Sequence, residues 1–165
     1  MKNIVLYGFM GAGKSYLAVR LAKKLKLPVW EADEMIAARE NASIPEIFAH
    51  KGEEYFREAE QKLCADFARQ NGAVLSAGGG MMTRPKCRAA LKNCVKIFLD
   101  LPFETCYGRI AGDQNRPVAR INSKEELAAL YKKRRAVYLK CADLVVTEIY
   151  SGERIKKIRE FLQND

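Results

Sequence analysis

Residues 8–15 constrain the fold more than any other part of the chain. They read Gly-Phe-Met-Gly-Ala-Gly-Lys-Ser, which matches the phosphate-binding loop pattern GxxxxGK[ST]. The loop follows a short apolar run at residues 4–7 and precedes a helical pattern. A phosphate loop needs this context, because a buried strand aims the loop and the N-terminus of the helix faces the anion. A tight strand-to-helix turn without a ligand is the weaker interpretation, so the sequence predicts a nucleoside triphosphate site.

Short apolar runs alternate with helical patterns along the rest of the chain, which is typical of a parallel sheet covered on both faces. We therefore predict an α/β fold of the P-loop type, with three α/β/α layers around a five-stranded parallel sheet. The predicted strands cover residues 4–7, 29–33, 73–75, 95–99 and 144–146. One predicted helix follows the phosphate loop, and the others cover residues 34–40, 43–52, 53–70, 102–110, 123–140 and 152–163. Capping boxes are predicted at residues 43–46 and 123–126, where a serine precedes a glutamate by three positions.

Residues 111–122 interrupt this alternation. They have no apolar period and include Gly112, Asp113, Asn115 and Pro117, which favours a mobile loop. We expect this segment to be a lid that closes over bound ligands and excludes water. The chain has 165 residues, enough for one full domain and too few for two. Residues 1–165 are therefore expected to form a single P-loop domain.

The net charge of +9 favours anionic partners. The excess is dispersed, and its densest runs, at residues 132–135 and 154–157, lie in helical patterns with apolar neighbours. Solvated helix faces explain most of this charge, and a nucleotide with an anionic small molecule explains the rest. A nucleic-acid-binding protein should show a concentrated basic stripe or aromatic residues among the basic ones. Neither is evident, so we predict no nucleic-acid partner.

Cysteine and histidine residues give no sign of a disulfide framework, a zinc site or a nucleophile pair. The five cysteines are scattered, odd in number and never spaced as CxxC, which favours reduced core residues. The single histidine, His50, lies near the end of a helical pattern before Gly52, which favours a helix-end or surface role.

Membrane association is not indicated by the sequence. No apolar stretch approaches the length of a bilayer span, and the first apolar run is one short strand rather than a signal-peptide pattern. We therefore expect a cytoplasmic protein with no membrane partner.

Several residues fall where a second ligand could bind. They are Asp33 after the second strand, Arg57 and Glu60 on one helical face, Gly78, Gly79 and Gly80 after the third strand, Arg116 in the expected lid, and Arg134 on the next helix. Taken singly, the polar residues fit a cap, a surface ion pair or a solvated side chain, although three glycines exceed what a plain turn needs. Together they predict an acceptor pocket in which a carboxylate takes a hydroxyl, arginines bind an anion, and a lid arginine covers the phosphates.

The order of these motifs resembles the shikimate kinase family over nearly the whole chain. The matching motifs are Gly11-Ala12-Gly13-Lys14-Ser15, Glu31-Ala32-Asp33, Phe56-Arg57-Glu58-Ala59-Glu60, Gly78-Gly79-Gly80, Arg116-Pro117, and Arg134 four residues before Tyr138. The resemblance implies an ATP:shikimate 3-phosphotransferase of chorismate and aromatic amino-acid biosynthesis. Such an enzyme uses ATP and Mg²⁺ and gives shikimate 3-phosphate and ADP. We further expect a monomer whose acceptor-binding helices lie within about residues 33–60.

The resemblance also implies roles for individual residues. The implied catalytic residues are Lys14, Asp33 and Arg116, with Asp33 as the candidate base that binds the acceptor hydroxyl. The implied nucleotide contacts are Gly11, Ala12, Gly13, Lys14, Ser15, Tyr16, Arg109 and Arg116, with Arg109 beside the adenine. The implied substrate contacts are Asp33, Arg57, Gly78, Gly79, Gly80 and Arg134, with both of these arginines on the carboxylate. The implied metal contacts are the Ser15 hydroxyl and, through water, Glu31.

The chain departs from the family pattern at three places. Glu31 replaces the usual Asp, which is expected to shift the metal geometry slightly. Tyr16 replaces the usual Thr after the loop serine, which is expected to alter contacts to the α-phosphate. Residues 147–150 lack the polar-plus-arginine pattern that many members place near adenine, which bears on nucleotide preference. None of these departures removes a residue that the chemistry requires.

Three other interpretations remain open on the residues alone. A gluconate or nucleoside monophosphate kinase would share the fold, because fold does not fix function; a nucleotide acceptor would also need base-stacking groups that the sequence does not identify. A nucleotide-dependent regulator or nucleic-acid-binding module would suit the net charge of +9. A relative that has lost catalysis is disfavoured by the intact Lys14, Asp33, Arg57 and Arg116.

Overall fold

A parallel sheet of five strands lies at the centre of the fold. In the computed structural model, which describes residues 1–113 and 116–164, the strands are β1 (Ile4–Gly8), β2 (Val29–Glu31), β3 (Val74–Ser76), β4 (Val95–Leu99) and β5 (Leu144–Val146). Their order across the sheet is β2-β3-β1-β4-β5, and every pairing is parallel. The predicted five-stranded parallel sheet is therefore confirmed.

The described residues form eight helices and one short 3₁₀ turn. The helices are α1 (Lys14–Leu25), α2 (Ala32–Glu40), α3 (Ile44–Ala68), α4 (Pro85–Ala90), α5 (Phe103–Ile110), α6 (Pro117–Ile121), α7 (Lys124–Cys141) and α8 (Ser151–Asn164), and the 3₁₀ turn is Met81–Thr83. Both predicted capping boxes are present: the hydroxyls of Ser43 and Ser123 accept hydrogen bonds from the backbone three residues on, at the starts of α3 and α7.

The two faces of the sheet bury two separate clusters of apolar side chains. Ile4 and Leu6 of β1 pack with α1, α5 and α8, whereas Val5 and Tyr7 of the same strand pack with α2, α3 and α4. Successive side chains of a strand point to opposite faces, so one strand serves both layers. The three-layer prediction is thereby confirmed. The cysteines are all unpaired, and four of the five are buried in this core, as predicted.

Several element boundaries differ from those predicted. The break at Gly52 is as predicted: its φ of 82° is not helical, and α3 consists of two helical parts that meet there at a sharp kink. The 3₁₀ turn, α4 and α6 were not predicted, because helices of three to six residues are too short to show a period. α6 lies within the expected lid, whose residues 114 and 115 fall outside the described part of the chain.

The sheet topology brings three loops to one edge. β1 leads into the phosphate loop, β2 leads into Asp33 in the first turn of α2, and β3 leads into Gly78. These three strands are neighbours, and the loops at their carboxyl ends therefore meet, as open α/β sheets require of a ligand site. Among the described residues, no helix is long and apolar enough to cross a membrane.

Candidate active site

A cavity of about 450 Å³ lies over the phosphate loop. Its wall comes from the loop and from the ends of β2 and β3, with two arginines at its side. It is lined by Gly11, Gly13, Lys14, Ser15, Tyr16, Glu31, Asp33, Glu34, Ser76, Ala77, Gly78, Gly79, Arg109 and Arg116. Most of the residues predicted to contact the nucleotide thus share one cavity at the N-terminus of α1, where backbone N–H groups and the helix dipole favour an anion.

Lys14 is held over the loop by the loop's own backbone. Its Nζ donates hydrogen bonds to the carbonyl oxygens of Gly8 and Phe9, each at 3.0 Å. Burial lowers the pKa of its ammonium to about 8, and the charge of Arg116 acts in the same direction. An incoming phosphate would oppose both effects, because its negative charge favours the protonated amine.

The oxygen atoms beside the loop suit a hard cation such as Mg²⁺. The Ser15 hydroxyl donates to Oε2 of Glu31 at 2.8 Å and lies 3.3 Å from the Ser76 hydroxyl. The other oxygen, Oε1 of Glu31, is buried without a hydrogen-bond partner among the described residues. Mg²⁺ is commonly held by few protein oxygens, with waters and phosphates completing its shell. Ser15 as a direct ligand and Glu31 acting through a water fit this chemistry.

A second, smaller cavity adjoins the first. Its volume is about 70 Å³, and it shares Asp33, Gly78, Gly79 and Arg116 with the nucleotide cavity. Its remaining lining residues are Met10, Ile44, Phe48, Phe56, Arg57, Glu60, Gly80, Pro117, Val118 and Arg134. The mixture of an apolar wall with a few convergent charges is typical of a site for a small polar ligand.

The glycine turn after β3 makes this convergence possible. A Cβ atom added to Gly78 would lie 2.8 Å from Glu60 Oε1 and 3.2 Å from Asp33 Oδ1. One added to Gly79 would lie 3.2 Å from Arg134 Nη1, and one added to Gly80 would lie 2.6 Å from Arg57 Nη1. Each glycine therefore leaves room for a different charged side chain, which explains why a single glycine would not suffice.

The two arginines of the smaller cavity differ in their partners. Arg57 donates to Glu60 at 2.7 Å and to Glu53 at 3.3 Å. Arg134 is 8 % exposed, and no carboxylate lies within ion-pair distance of it in the described part of the chain. Burial lowers the pKa of Arg134, and the charge of Arg57 lowers it too. A buried guanidinium without a carboxylate beside it favours an anionic ligand.

Glu60 holds Arg57 in place from below the pocket. It is fully buried, and its Oε1 has no hydrogen-bond partner among the described residues. Burial raises the pKa of its carboxyl, whereas Arg57 opposes that shift. The sequence analysis included Glu60 with Arg57 in the expected acceptor pocket but gave it no individual role.

Asp33 stands where the two cavities meet. Its side chain is exposed to the cleft, yet loss of water around it raises the pKa of its carboxyl, against the lowering effects of Lys14 and Arg116. A carboxylate in this position can accept a hydrogen bond from an acceptor hydroxyl and can take its proton.

Tyr138 connects α7 to the glycine turn. Its hydroxyl donates to the Gly79 carbonyl oxygen, and its own backbone oxygen accepts a hydrogen bond from Tyr7 of β1. Burial raises the pKa of Tyr138 to about 12, so it remains a donor at neutral pH. Because Arg134 lies one turn earlier on α7, this anchor also sets the position of Arg134.

Two arginines, one on α5 and one on α8, donate hydrogen bonds to the backbone of the phosphate loop. Arg109 Nη1 donates to the Gly11 carbonyl oxygen at 2.9 Å, and Arg154 Nη1 donates to the Ala12 carbonyl oxygen at 3.2 Å. The prediction that residues 154–157 are a solvated helix face is wrong for Arg154, which is 4 % exposed. Sequence reasoning missed this residue because three of the four residues in the run are charged, Arg154 included, and no motif includes it.

Two of the three departures from the family pattern carry exposed side chains. The Tyr16 side chain is exposed, and its hydroxyl accepts a hydrogen bond from Arg20 at 2.7 Å. Ile149 and Tyr150, which follow β5, are exposed as well. His50 is exposed two residues before the kink in α3, as its expected surface role requires.

Comparisons with family models, curated proteins and solved structures each include shikimate kinases. The family model described as shikimate kinase matches residues 10–163. A shikimate kinase of Pseudomonas entomophila is 42% identical over 148 residues, which cover 88% of this chain and 86% of the relative. Among solved structures, a shikimate kinase from Acinetobacter baumannii in complex with shikimate superposes with a TM-score of 0.94 at 29% identity, covering 99% of this chain and 94% of that one. A shikimate kinase from Aquifex aeolicus gives a TM-score of 0.86 at 34% identity, covering 98% and 96%.

Proposed function

The chain belongs to the shikimate kinase family, and we propose that its two adjoining cavities divide the reaction of that family between them. The reaction transfers the γ-phosphoryl group of ATP to the 3-hydroxyl of shikimate in the presence of Mg²⁺ and releases ADP. The larger cavity takes the nucleotide, and the smaller cavity takes shikimate. The observation that carries this assignment is that Asp33 and Arg116 line both cavities, at the place where donor and acceptor must meet.

On the nucleotide side, Lys14, Arg116 and the loop N–H groups compensate the charge that develops on the transferred phosphoryl oxygens. When bound through Ser15 and a water on Glu31, Mg²⁺ neutralises phosphate charge. Removing one of these transition-state donors should cost about 3–4 kcal/mol of barrier, by analogy with a lost oxyanion donor.

On the acceptor side, Arg134 and Arg57 bind the shikimate carboxylate by fork geometry. Glu60 supports Arg57, whereas Arg134 has no carboxylate within ion-pair distance among the described residues. The backbone of Gly79 contacts the substrate from the turn, and Asp33 orients the 3-hydroxyl and takes its proton. Phosphoryl transfer asks little more of a protein than such positioning.

We assign to the lid, at residues 111–122, the exclusion of water from the two ligand cavities. Its described part carries Arg116, which lies between the cavities, and Pro117 and Val118, which line the acceptor side. Closure of this segment over both ligands prevents hydrolysis of ATP by water.

The remaining parts of the proposal concern the whole protein. We assign residues 1–165 to one domain that acts as a monomer in the cytoplasm, without nucleic-acid or membrane partners.

An ADP-release assay with shikimate, quinate and gluconate tests the acceptor assignment. We expect efficient turnover with shikimate and little with the other two acids. A shikimate analogue with an amide in place of the carboxylate should bind poorly, because Arg57 and Arg134 then lose their anionic partner. Preferred turnover of gluconate, or equal affinity for the amide, would contradict the proposal.

A further inference from the structure

Arg154 connects the start of α8 to the phosphate loop. Its Nε donates to the Glu148 carbonyl oxygen at 2.5 Å, and its Nη1 donates to the Ala12 carbonyl oxygen at 3.2 Å. The third nitrogen, Nη2, is buried without a hydrogen-bond partner among the described residues. Arg154 therefore contacts a loop residue 142 positions away in the sequence, although it lines neither cavity.

The charge of Arg154 has no ion-pair partner in the described part of the chain; the Glu148 carboxylate, which pairs with Lys157, favours it only from a longer distance. A Cβ built on Gly13 would lie 3.3 Å from Arg154 Nη1 and 3.5 Å from Arg109 Nη1, so two guanidinium groups flank the same loop residue. Burial lowers the pKa of Arg154, and the charge of Arg109 lowers it further. Such an arrangement is unfavourable unless an anion compensates it.

The hydrogen bond from Arg154 to the Ala12 carbonyl oxygen also fixes the direction of an N–H group in the phosphate loop. In a trans peptide the carbonyl group and the following N–H group point in opposite directions, and the described chain contains no cis peptide bond. Because Arg154 holds the Ala12 carbonyl oxygen, the Gly13 N–H group must point away from Arg154. Gly13 lines the nucleotide cavity, and an N–H group fixed in this way is the kind of donor that binds phosphate.

We propose that Arg154 is a positioning residue for the polyphosphate chain of the nucleotide. It fixes the peptide between Ala12 and Gly13, and it adds positive charge that the phosphates of a bound nucleoside di- or triphosphate would compensate. The inference rests on the proposed nucleotide cavity and does not depend on which acceptor is phosphorylated.

A positioning role and a structural role predict different behaviour. If Arg154 served only to stabilise the fold, its replacement would lower the free energy of unfolding, and any loss of affinity would follow from that. If it serves the nucleotide, Arg154→Met removes an uncompensated buried charge from the free protein. Stability without nucleotide should then be unchanged or higher, while nucleotide affinity falls.

The experiment compares Arg154→Met and Arg154→Lys with the wild type, using Arg159→Met as the control on the exposed face of the same helix. Calorimetric titrations without acceptor measure the Kd values for ATP, ADP and adenosine, and urea unfolding measures stability. We expect Arg154→Met to lower the affinity for ATP and for ADP about tenfold, as loss of the charge-assisted hydrogen bond to the Ala12 carbonyl oxygen implies. The affinity for adenosine should be unchanged. Arg154→Lys should recover part of the loss, because it retains the charge without the fork, and Arg159→Met should match the wild type throughout.

Three outcomes would overturn the inference. They are wild-type affinity for ATP in Arg154→Met, an equal loss of affinity for adenosine, and a fall in stability that accompanies the loss of affinity in both Arg154 variants. A wild-type protein that binds ATP in this charge-dependent manner yet fails to phosphorylate shikimate would remove the proposed acceptor and support the role of Arg154.

Discussion

At the scale of single residues, the acceptor pocket depends on three glycines, whose lack of a side chain leaves space for charged groups. The glycine turn after β3 contributes backbone alone, and the space above it is filled by Arg57, Glu60 and Arg134. A larger residue in the turn would not break the fold, because the atoms it meets are the ends of long side chains that can move. It would instead displace the charged groups that the pocket needs.

Gly80→Ala tests this relation. The new Cβ would lie 2.6 Å from Arg57 Nη1, so the guanidinium must shift away from the acceptor. Because displacement by about 1 Å can cost on the order of 100-fold, we expect KM for shikimate to rise about 10- to 100-fold, with the Kd for ATP unchanged. Steady-state kinetics and nucleotide titration measure both quantities.

Gly108→Ala is the matched control for that substitution. Gly108 lies in α5, and a Cβ added there meets nothing within 4 Å. The control should bind shikimate like the wild type. A normal KM for shikimate in Gly80→Ala would show that the Arg57 position is not critical.

Asp33→Asn separates proton removal from binding. The amide keeps the size of the carboxyl group but cannot accept the proton of the 3-hydroxyl. We expect kcat to fall about 10²–10⁴-fold, the usual contribution of a positioned general base, while the Kd for ATP changes little. Lys14→Ala should impair both quantities, since Lys14 lies on the phosphate loop. Turnover near the wild-type rate in Asp33→Asn would refute the base assignment.

The sequence predicts some of these functional residues but not others, for a physical reason. Arg57 and Arg134 could be proposed as ligand-binding residues because they belong to ordered motifs. Arg154 could not, since its burial depends on packing of α8 against a loop 142 positions away. Glu60 was visible as a helical neighbour of Arg57, but only the tertiary structure shows that it is fully buried beneath the pocket.

At the scale of elements, the kink in α3 joins two parts of the acceptor pocket. Ile44 and Phe48 precede Gly52 and form part of the apolar wall, whereas Arg57 and Glu60 follow it. The backbone at Gly52 has φ 82° and ψ 168°, a region that is essentially restricted to glycine. The angle between the two parts therefore depends on this one residue.

Gly52→Ala should consequently lower the free energy of unfolding by about 1–3 kcal/mol. The cost is backbone strain alone, because a Cβ at this position meets nothing within 4 Å. We also expect a higher KM for shikimate, since any straightening of α3 moves the wall relative to Arg57. Urea unfolding and steady-state kinetics check the two effects.

Gly152→Ala provides the comparison in α8. Its site is equally open, and its φ lies outside the left-handed region, so alanine should raise stability by up to about 1 kcal/mol through helix propensity. Equal effects of the two substitutions would mean that α3 is not strained by a side chain at position 52.

Element prediction succeeded where a pattern had room to repeat. β4 occupies the predicted residues 95–99, and α7 begins at the predicted capping box. The 3₁₀ turn, α4 and α6 escaped prediction because one or two helical turns cannot display a period of 3.6 residues. Strand β2 ends at Glu31 rather than at residue 33, since Asp33 already belongs to the first turn of α2.

At the scale of the whole molecule, the sheet couples the two ligand sites. β1 carries the phosphate loop and packs side chains into both core clusters, one behind the nucleotide and one behind the acceptor. Separation of these layers would expose both faces of the same strands. Because this strand is shared, we expect residues 1–165 to unfold as a single cooperative unit.

Thermal unfolding with two probes tests that unity. Trp30, the only tryptophan, lies on β2 and packs against Phe67 of α3 at 5.6 Å, on the face opposite α1. We expect its fluorescence and the far-ultraviolet circular dichroism to report one coincident transition. With Mg²⁺, ATP at a free concentration of about 100 Kd adds about 2.7 kcal/mol, which should raise Tm by about 5–10 °C for a chain of this size.

The decisive observation is whether ATP shifts the fluorescence transition and the circular dichroism transition by the same amount. Trp30 reports the acceptor side of the sheet, whereas ATP is expected to bind at the phosphate loop. If the sheet transmits stability, nucleotide must shift the Trp30 transition as far as the circular dichroism transition, and removal of Mg²⁺ by a chelator must reduce both shifts equally. A Trp30 transition that ATP leaves in place would divide the chain into two units, because stabilisation by binding extends only as far as cooperative unfolding does.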